Sequence, residues 1–483
     1  MTLTAAATPS IMRPMSDSSD APAFDDEVRT AREAEAATLW SDAIAHYEAA
    51  LTQLPPSADE AALLTALGAA YWNLSEARIA WRTLRRAIAL YSERGDGRGV
   101  ATATLAILRI WGPPERQRAM AEAALDALGD ADPHLRAWLL ARIWRLEEAW
   151  RLADEHGFDD VRIIQISEDG WSALKRGDVD RAVALLRDAH ARYAAIRHYQ
   201  PAADMLRMAG FNLLQFGRLD EGDHVAAEAV AYARSVHLRF QEQLAQLDRV
   251  GVAFARCEFD RCEVLLDELV DNTDFRADLY RMWTAELRGD AASALALMVD
   301  PERGGGAPTA MSQTHAAAAG ALFRAGRQEA ALRELHAWAD IARTYNSMPD
   351  EAPALVDCLI SLGTDELVRE VRDAYAGQDY RAYNAYSTLQ GRGMDEVRGA
   401  LSLRLGDLRS AERWFRTGAD WAAAQRCPLD EARCLERLAA VTGARHDVAG
   451  TRRHLGSARA LFAAHGAEFY TRRVDAALAS LTG

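Results

Sequence analysis

The sequence predicts an all-α protein, a right-handed α-solenoid of about twelve stacked helical hairpins. A small residue recurs in one setting at steps of 40, 40, 32, 37, 37 and 43 residues, and apolar residues at helical spacing flank it on both sides. A period of about 38 residues with this pattern is typical of stacked helical hairpins. The recurring small residues are Gly177, Gly217, Cys257, Gly289, Gly326, Gly363 and Gly406.

Extending this pattern in both directions predicts twelve hairpins. Those near Gly112 and Trp144 match the pattern least well, and the one near Gly363 has a short, charged second helix. A last single helix is expected over about 467–481. The predicted turns lie near Thr38, Ser75, Gly112, Trp144, Gly177, Gly217, Cys257, Gly289, Gly326, Gly363, Gly406 and His446.

Two segments lack helical periodicity. Residues 1–23 are rich in Pro, Ser and Asp without an apolar segment, which predicts a disordered tail. Residues 300–308 concentrate Gly and Pro, so a loop or hinge is expected over 301–312. It separates an N-terminal part, 24–300, from a C-terminal part, 313–483, of one superhelix that we expect to continue across it.

The packing pattern of single hairpins resembles a known repeat family. Leu67, Gly68 and Tyr71 lie one turn apart on a predicted first helix, and Gly68 faces Ala80 where two helices approach closely. The L-G-x-x-Y of these residues and the A-I-x-x-Y-x-x-A-L of 43–51 resemble the signature of tetratricopeptide repeats (TPR). The resemblance implies a TPR-like superhelix that holds a protein partner.

Three longer segments, 90–99, 128–137 and 452–462, are similar to the long-repeat helical regions of maltose-regulator-like bacterial signalling ATPases. In those proteins this region senses or docks partners. The sequence has no G-x-x-x-x-G-K-[ST] loop and does not end in a basic helix-turn-helix. The resemblance therefore implies a regulatory sensor or scaffold region without the ATPase or DNA-binding domains.

The composition indicates the cellular compartment and the classes of partner that the chain is expected to bind. The 71 acidic and 56 basic residues give a net charge of −15, which disfavours binding to nucleic acid and to anionic lipid. No apolar run approaches the roughly 20 residues that span a membrane. The five cysteines form no C-x-x-C pair, which favours a reducing cytoplasm. Polar terminal helices favour a monomer or homodimer.

A search for catalytic patterns assigns no catalytic, metal-binding or cofactor-binding residue. The sequence contains no H-E-x-x-H, no G-x-S-x-G and no nucleotide-binding glycine pattern after a strand. We therefore expect a noncatalytic protein. An enzyme with an undetected site between helices remains a third, weaker alternative.

Aromatic and polar residues at inward-facing positions of the first helices form the candidate partner-binding set. Such residues suit recognition of a peptide or helical segment in a concave groove. This predicts an adaptor or sensor that binds a protein partner. Two alternatives remain: the aromatic residues pack between helices, or a closed interior holds a small molecule that changes the curvature. The candidates are Trp72, Asn73, Arg109, Trp171, Lys175, Phe211, Gln215, Phe254, Trp283, Phe323 and Arg324.

A second candidate surface consists of tyrosines. Tyr380, Tyr383 and Tyr386 share one face of a predicted helix because they are three residues apart. Tyrosine provides a rigid amphipathic area that suits interfaces. Packing of these rings on the preceding hairpin is the alternative interpretation.

Overall fold

The computed structural model of the chain describes residues 20–74, 76–109, 114–269, 275–298, 308–345, 348–375 and 393–481. Within these ranges it contains 25 α-helices and no strand. They form twelve consecutive hairpins followed by one single helix, which confirms the predicted α-solenoid. Residues 1–19 of the predicted tail, 301–307 of the predicted loop, and Tyr380, Tyr383 and Tyr386 lie outside the described residues.

The helices in chain order are α1 (Asp20–Ala36), α2 (Trp40–Thr52), α3 (Glu60–Asn73), α4 (Ala77–Glu93), α5 (Gly97–Ile107), α6 (Pro114–Leu128), α7 (Pro133–Arg142), α8 (Leu146–His156), α9 (Asp159–Lys175), α10 (Val179–Ala195), α11 (Tyr199–Gln215), α12 (Leu219–Ser235), α13 (Arg239–Ala255), α14 (Phe259–Asp267), α15 (Phe275–Leu287), α16 (Ala291–Ala296), α17 (Pro308–Arg324), α18 (Gln328–Tyr345), α19 (Met348–Leu362), α20 (Asp365–Ala374), α21 (Met394–Arg404), α22 (Leu408–Ala424), α23 (Pro428–Ala444), α24 (Val448–Ala464) and α25 (Glu468–Ser480).

The contacts divide the chain into two units, an N-terminal unit (Met1–Arg162) and a C-terminal unit (Ile163–Gly483). The N-terminal unit contains α1 to α8, and the C-terminal unit contains most of α9 and all of α10 to α25. Two boundaries differ from the predicted ones. Helix α1 begins at Asp20, within the expected tail. Helix α17 begins at Pro308, within the expected loop, because proline suits the first turn of a helix.

The turn motif has a clear structural basis at Gly177. This residue adopts the left-handed conformation, with φ of 76°. Its N–H donates to the carbonyl of Leu174, and the Asp178 N–H donates to that of Ala173, which together close the first helix. The Asp178 carboxylate then accepts from the Arg181 N–H and caps the second helix. A small residue followed by aspartate thus ends one helix and begins the next.

The same left-handed conformation occurs at nine of the twelve predicted turn positions. Ser75 and Gly112 lie outside the described residues, and Gly363 has no positive φ. The nine are Thr38, Trp144, Gly177, Gly217, Cys257, Gly289, Gly326, Gly406 and His446. Thr38, Trp144, Cys257 and His446 carry a Cβ in a conformation that is strained for L-residues.

Close approach within each hairpin depends on small residues, as predicted for Gly68. A Cβ at this position would lie 2.5 Å from Leu84 Cγ on the second helix. Gly399 occupies the equivalent place in the eleventh hairpin, where a Cβ would lie 2.4 Å from the Phe415 ring. A side chain at either position would push the two helices apart.

The C-terminal unit closes on itself. Its first helices, α11 to α23 in odd numbers, form an inner layer together with α25. Helix α23 returns to contact α13, and α25 returns to contact α15. One apolar cluster joins these distant helices, with Phe254 and Trp283 on one side and Leu429, Phe462 and Tyr470 on the other. The predicted open groove is therefore filled in this unit.

Replacing Trp144 by glycine is expected to stabilise the N-terminal unit. Trp144 has φ of 65° and its side chain is 65 % exposed, so the substitution relieves backbone strain and removes little packing. We expect a net gain of about 0.5–1 kcal/mol in the free energy of unfolding, because the strain outweighs the added entropy of glycine. Calorimetric unfolding of the chain measures the gain. Trp144→Ala keeps the strained conformation and is the control; equal stabilisation by both variants would contradict this explanation.

Candidate partner-binding surface

The candidates of the N-terminal unit lie together at corresponding ends of two neighbouring helices. Trp72 and Asn73 end α3, Arg109 follows the end of α5, and these helices contact each other. All three residues are half-buried. Trp72 packs against the cluster that contains Ala80 and Leu84, so its ring is held in place while part of it faces solvent. An aromatic ring, an amide and a guanidinium group thus occur at neighbouring helix ends, each partly exposed.

Trp171 and Lys175 lie one turn apart on α9, within the C-terminal unit. Trp171 is half-buried and packs against the clusters around Leu186 and Ala182 of α10. Lys175 is exposed at the end of the helix. This pair therefore also combines a fixed aromatic ring with an accessible polar group.

Phe211 and Gln215 on α11 are buried, with 8 % and 6 % of their surface exposed. The Arg207 guanidinium lies 5.3 Å from the centre of the Phe211 ring and donates from Nε to Asp248 Oδ2 of α13 at 3.0 Å. Burial raises the pKa of Asp248, and the nearby Arg207 opposes this shift. These side chains join two inner helices and are covered in the described conformation.

The structure brings Phe254, Trp283 and Arg324 together around one small cavity. It has a volume of about 30 Å³, and Phe469 and Tyr470 of α25 form part of its wall. Phe254 is 1 % exposed and Trp283 is 5 % exposed. A cavity of this size has room for a group no larger than about one water molecule. A partner segment has no access to these residues in the closed form.

Glu286 also lines this cavity and was missed by the sequence analysis. Its Oε2 accepts from Arg324 Nη2 at 2.7 Å, and about 10 % of each side chain is exposed. Its Oε1 is buried and has no hydrogen-bond partner in the described part of the chain. The cavity therefore combines aromatic walls with a carboxylate oxygen whose hydrogen-bonding capacity is unused.

The eleven candidates thus fall into two groups. Phe323, the last of them, is half-buried and packs against the cluster around Trp338. The half-buried or exposed group is Trp72, Asn73, Arg109, Trp171, Lys175 and Phe323. The covered group is Phe211, Gln215, Phe254, Trp283 and the side chain of Arg324. A binding role for either group remains a prediction.

A buried layer of charged residues fills the interior of the C-terminal unit, and the sequence analysis missed it. Every member lies on a first helix of a hairpin and exposes less than a tenth of its surface. Buried charges need partners because removing them from water is unfavourable. The layer contains Glu242, Asp248, Arg276, Glu351, Asp357, Asp395, Glu396, Arg398, Asp430 and Arg433.

Several ion pairs in this region join residues one repeat apart. Arg207 and Asp248 are separated by 41 positions, and Arg324 and Glu286 by 38. Arg437 reaches two inner helices, because it contacts Asp357 of α19 and lies 3.4 Å from Glu396 Oε1 of α21. Oppositely charged residues that are one repeat period apart can be found in the sequence. This spacing could have predicted these pairs.

Neither a metal centre nor a membrane segment is found in the described parts of the chain. There, no three His, Cys, Asp or Glu side chains are grouped so that they could hold a metal ion. None of the helices in these ranges is long and apolar enough to cross a bilayer.

Comparisons with known proteins give structural similarity only. The chain matches no protein-family model and no curated protein by sequence. It is similar to a chain of the APC/C hetero-tetramer Cut9-Hcn1, with a TM-score of 0.44 and 12 % identity over 95 % of this chain and 90 % of that chain. Yeast Tom70 has a TM-score of 0.30 and 11 % identity over 95 % and 96 %. The TPR2AB domain of yeast Sti1, in a complex with pHSP90, has a TM-score of 0.22 and 17 % identity over 57 % and 96 %.

Because these TM-scores lie below 0.5, the fold assignment rests on the helical hairpins of the chain itself.

Breaking the buried pair between Glu286 and Arg324 is expected to destabilise the C-terminal unit more than replacing both residues. Arg324→Met leaves a buried carboxylate without its cation, at a cost of about 3–5 kcal/mol. Glu286→Leu combined with Arg324→Met removes both charges and is expected to be less destabilised than the single variant. Denaturant unfolding of the chain measures both effects.

Arg192→Met is the control for this experiment. It removes an exposed partner of Asp188, 3.1 Å away, and is expected to change the free energy of unfolding by less than about 1 kcal/mol. A double variant less stable than Arg324→Met would contradict the interpretation that the buried charges depend on each other.

Proposed function

We propose that this chain is a noncatalytic adaptor or sensor that binds a segment of a protein partner through the first helices of its N-terminal hairpins. The observation that carries the proposal is the grouping of Trp72, Asn73 and Arg109 at corresponding ends of α3 and α5, all partly accessible. The equivalent candidates further along the chain, such as Phe254 and Trp283, are covered.

The three side chains offer complementary interactions to a peptide. The Trp72 ring provides apolar area at a low entropic cost because the core already holds it. The Asn73 amide both donates and accepts hydrogen bonds, which suits the backbone of an extended segment. The Arg109 guanidinium donates to carbonyl or carboxylate oxygens. Aromatic and arginine residues of this kind dominate the binding energy of many interfaces.

The test is capture of the partner with the tagged chain from its native cell extract, followed by calorimetric titration with the purified partner. An Asn73→Ala and Arg109→Ala double variant is expected to bind at least about tenfold more weakly, because two central polar contacts are lost. These substitutions keep the Trp72 side chain.

Arg409→Ala, at an exposed position on α22, is the matched control and is expected to bind like the unmodified chain. Equal affinity of the double variant and the control would place the partner elsewhere on the surface.

A small-molecule sensor is the second candidate function, and the closed interior with its cavity favours it. Trp283 and Glu286 line the cavity, so a bound molecule would change tryptophan fluorescence. Typical ligand pockets measure about 300–1,000 Å³, so anything larger than a water-sized group requires the interior to open. A saturable fluorescence change with a metabolite, absent in Glu286→Gln, is the expected result for this function.

A further inference from the structure

We propose that the C-terminal unit is a two-state device: a ring that is closed in this structure and opens at the contact between its two sides. We call this the closing contact; it joins Gly217, Leu219, Asp220 and Arg256 on one side to Trp421, Gln425 and Arg426 on the other. Opening would uncover the inner face that carries Phe254 and Trp283. The inference goes beyond the proposed function and does not require a bound partner.

The closing contact combines a few polar interactions between elements about 200 residues apart with the small apolar cluster around Cys427. The apolar cluster that contains Phe254 and Tyr470 joins the same two sides. Asp220 accepts from Arg256 at 2.8 Å and from Arg426 at 2.7 Å. The Leu219 N–H donates to Gln425 Oε1 at 3.3 Å. Asp220 and Arg426 are largely exposed, so water and salt compete with their pairing. Such polar contacts are individually weak, so the apolar contacts supply most of the free energy that favours closure.

Two glycines of the hairpin turns are adapted to closure. A Cβ on Gly217 would lie 2.4 Å from Trp421 Nε1, and one on Gly289 would lie 2.4 Å from Arg472 Nη2 of α25. Gly177, Gly326 and Gly406 have the same left-handed backbone but no atom within 4 Å of such a Cβ. The turn alone therefore explains glycine at these three positions, whereas Gly217 and Gly289 also accommodate a distant helix.

Opening leaves every hairpin intact. In a solenoid each repeat is stabilised mainly by its immediate neighbours, and the closing contact joins hairpins that are not neighbours in sequence. The closed interior also contains buried polar atoms without hydrogen bonds in the described part of the chain, namely Glu286 Oε1 and Gln313 Nε2. Each such atom destabilises the closed form, and water would satisfy it in an open form. The unsatisfied polar atoms therefore favour the open form, whereas the apolar contacts favour the closed form.

Two native cysteines report on opening. Cys427 is fully buried in a small cluster with Leu214, Leu219 and Val252, which lie on the opposite side of the closing contact. Cys358 is equally buried, but it packs within a cluster formed by neighbouring hairpins. Opening of the ring should expose the Cys427 thiol and leave the Cys358 thiol protected. General unfolding should expose both.

The experiment measures the labelling rate of each thiol by peptide mass spectrometry in the full chain, with an alkylating reagent at neutral pH. Gly217→Ala is compared with Gly177→Ala, because both place a Cβ at positive φ and only the first meets Trp421. We expect Gly217→Ala to increase labelling of Cys427 at least about tenfold, corresponding to 1.4 kcal/mol in the opening equilibrium. Gly177→Ala should leave the rate unchanged, and Cys358 should stay protected in both.

A second pair of variants tests the ionic part of the contact. Asp220→Ala removes the acceptor of Arg256 and Arg426, whereas Asp180→Ala removes an exposed acceptor of Arg218 that takes no part in closure. Because salt screens these exposed charges, labelling of Cys427 in the unmodified chain should rise with salt concentration. Asp220→Ala should increase labelling severalfold and remove this dependence on salt, whereas Asp180→Ala should change neither.

Unchanged Cys427 labelling in Gly217→Ala and Asp220→Ala would overturn the proposal. So would a parallel rise of Cys427 and Cys358 in both variants, since closure would then be part of one cooperative fold. Because labelling needs no partner, these outcomes are independent of the peptide-binding test.

Discussion

The return of α23 and α25 onto α13 and α15 is the constraint on which the structure of the C-terminal unit depends. A chain of hairpins that meets itself encloses its inner surface, so the side chains of that surface must pack against each other. Trp283 packs edge-on against Tyr280 and at a tilt against Phe254, and these rings belong to the same apolar cluster as Tyr470 instead of lining a groove. Closure also restricts a distant turn position, since a Cβ on Gly217 would lie 2.4 Å from Nε1 of the Trp421 ring.

Enclosure explains why the charged residues of the inner layer occur in pairs. A carboxylate such as Glu286 would be strongly destabilised in a water-poor interior without the guanidinium of Arg324. Such pairs fix how one repeat lies on the next, because both partners must stay within hydrogen-bonding distance. They therefore contribute more to a defined register between hairpins than to net stability. Arg437, which contacts Asp357 and Glu396, extends this effect over three inner helices.

Local features of this fold could be predicted from the sequence, and features that arise between repeats could not. The turn at Gly177 and the helix cap at Asp178 depend on a few adjacent residues, so a recurring small residue was sufficient to locate the turn. Closure depends on small rotations that accumulate over many repeats, and no single residue encodes them. For this reason Phe254 and Trp283 were assigned to an open groove, and Glu286 was missed. Trp72 and Arg109, which lie outside the closed unit, are partly accessible, as a groove position requires.

The two units consequently differ in what they offer to a partner. In the N-terminal unit, Trp72 packs on the core and is still partly exposed, so the binding that we propose there would cost little side-chain entropy. In the C-terminal unit, the same kind of aromatic residue is covered by α25, and any ligand must first compete with Phe469 and Tyr470. A surface that must first be uncovered binds its ligand with a lower apparent affinity. The apparent affinity is the intrinsic affinity multiplied by the fraction of molecules in which that surface is open. If the ring opens as we propose, the closing contact sets that fraction.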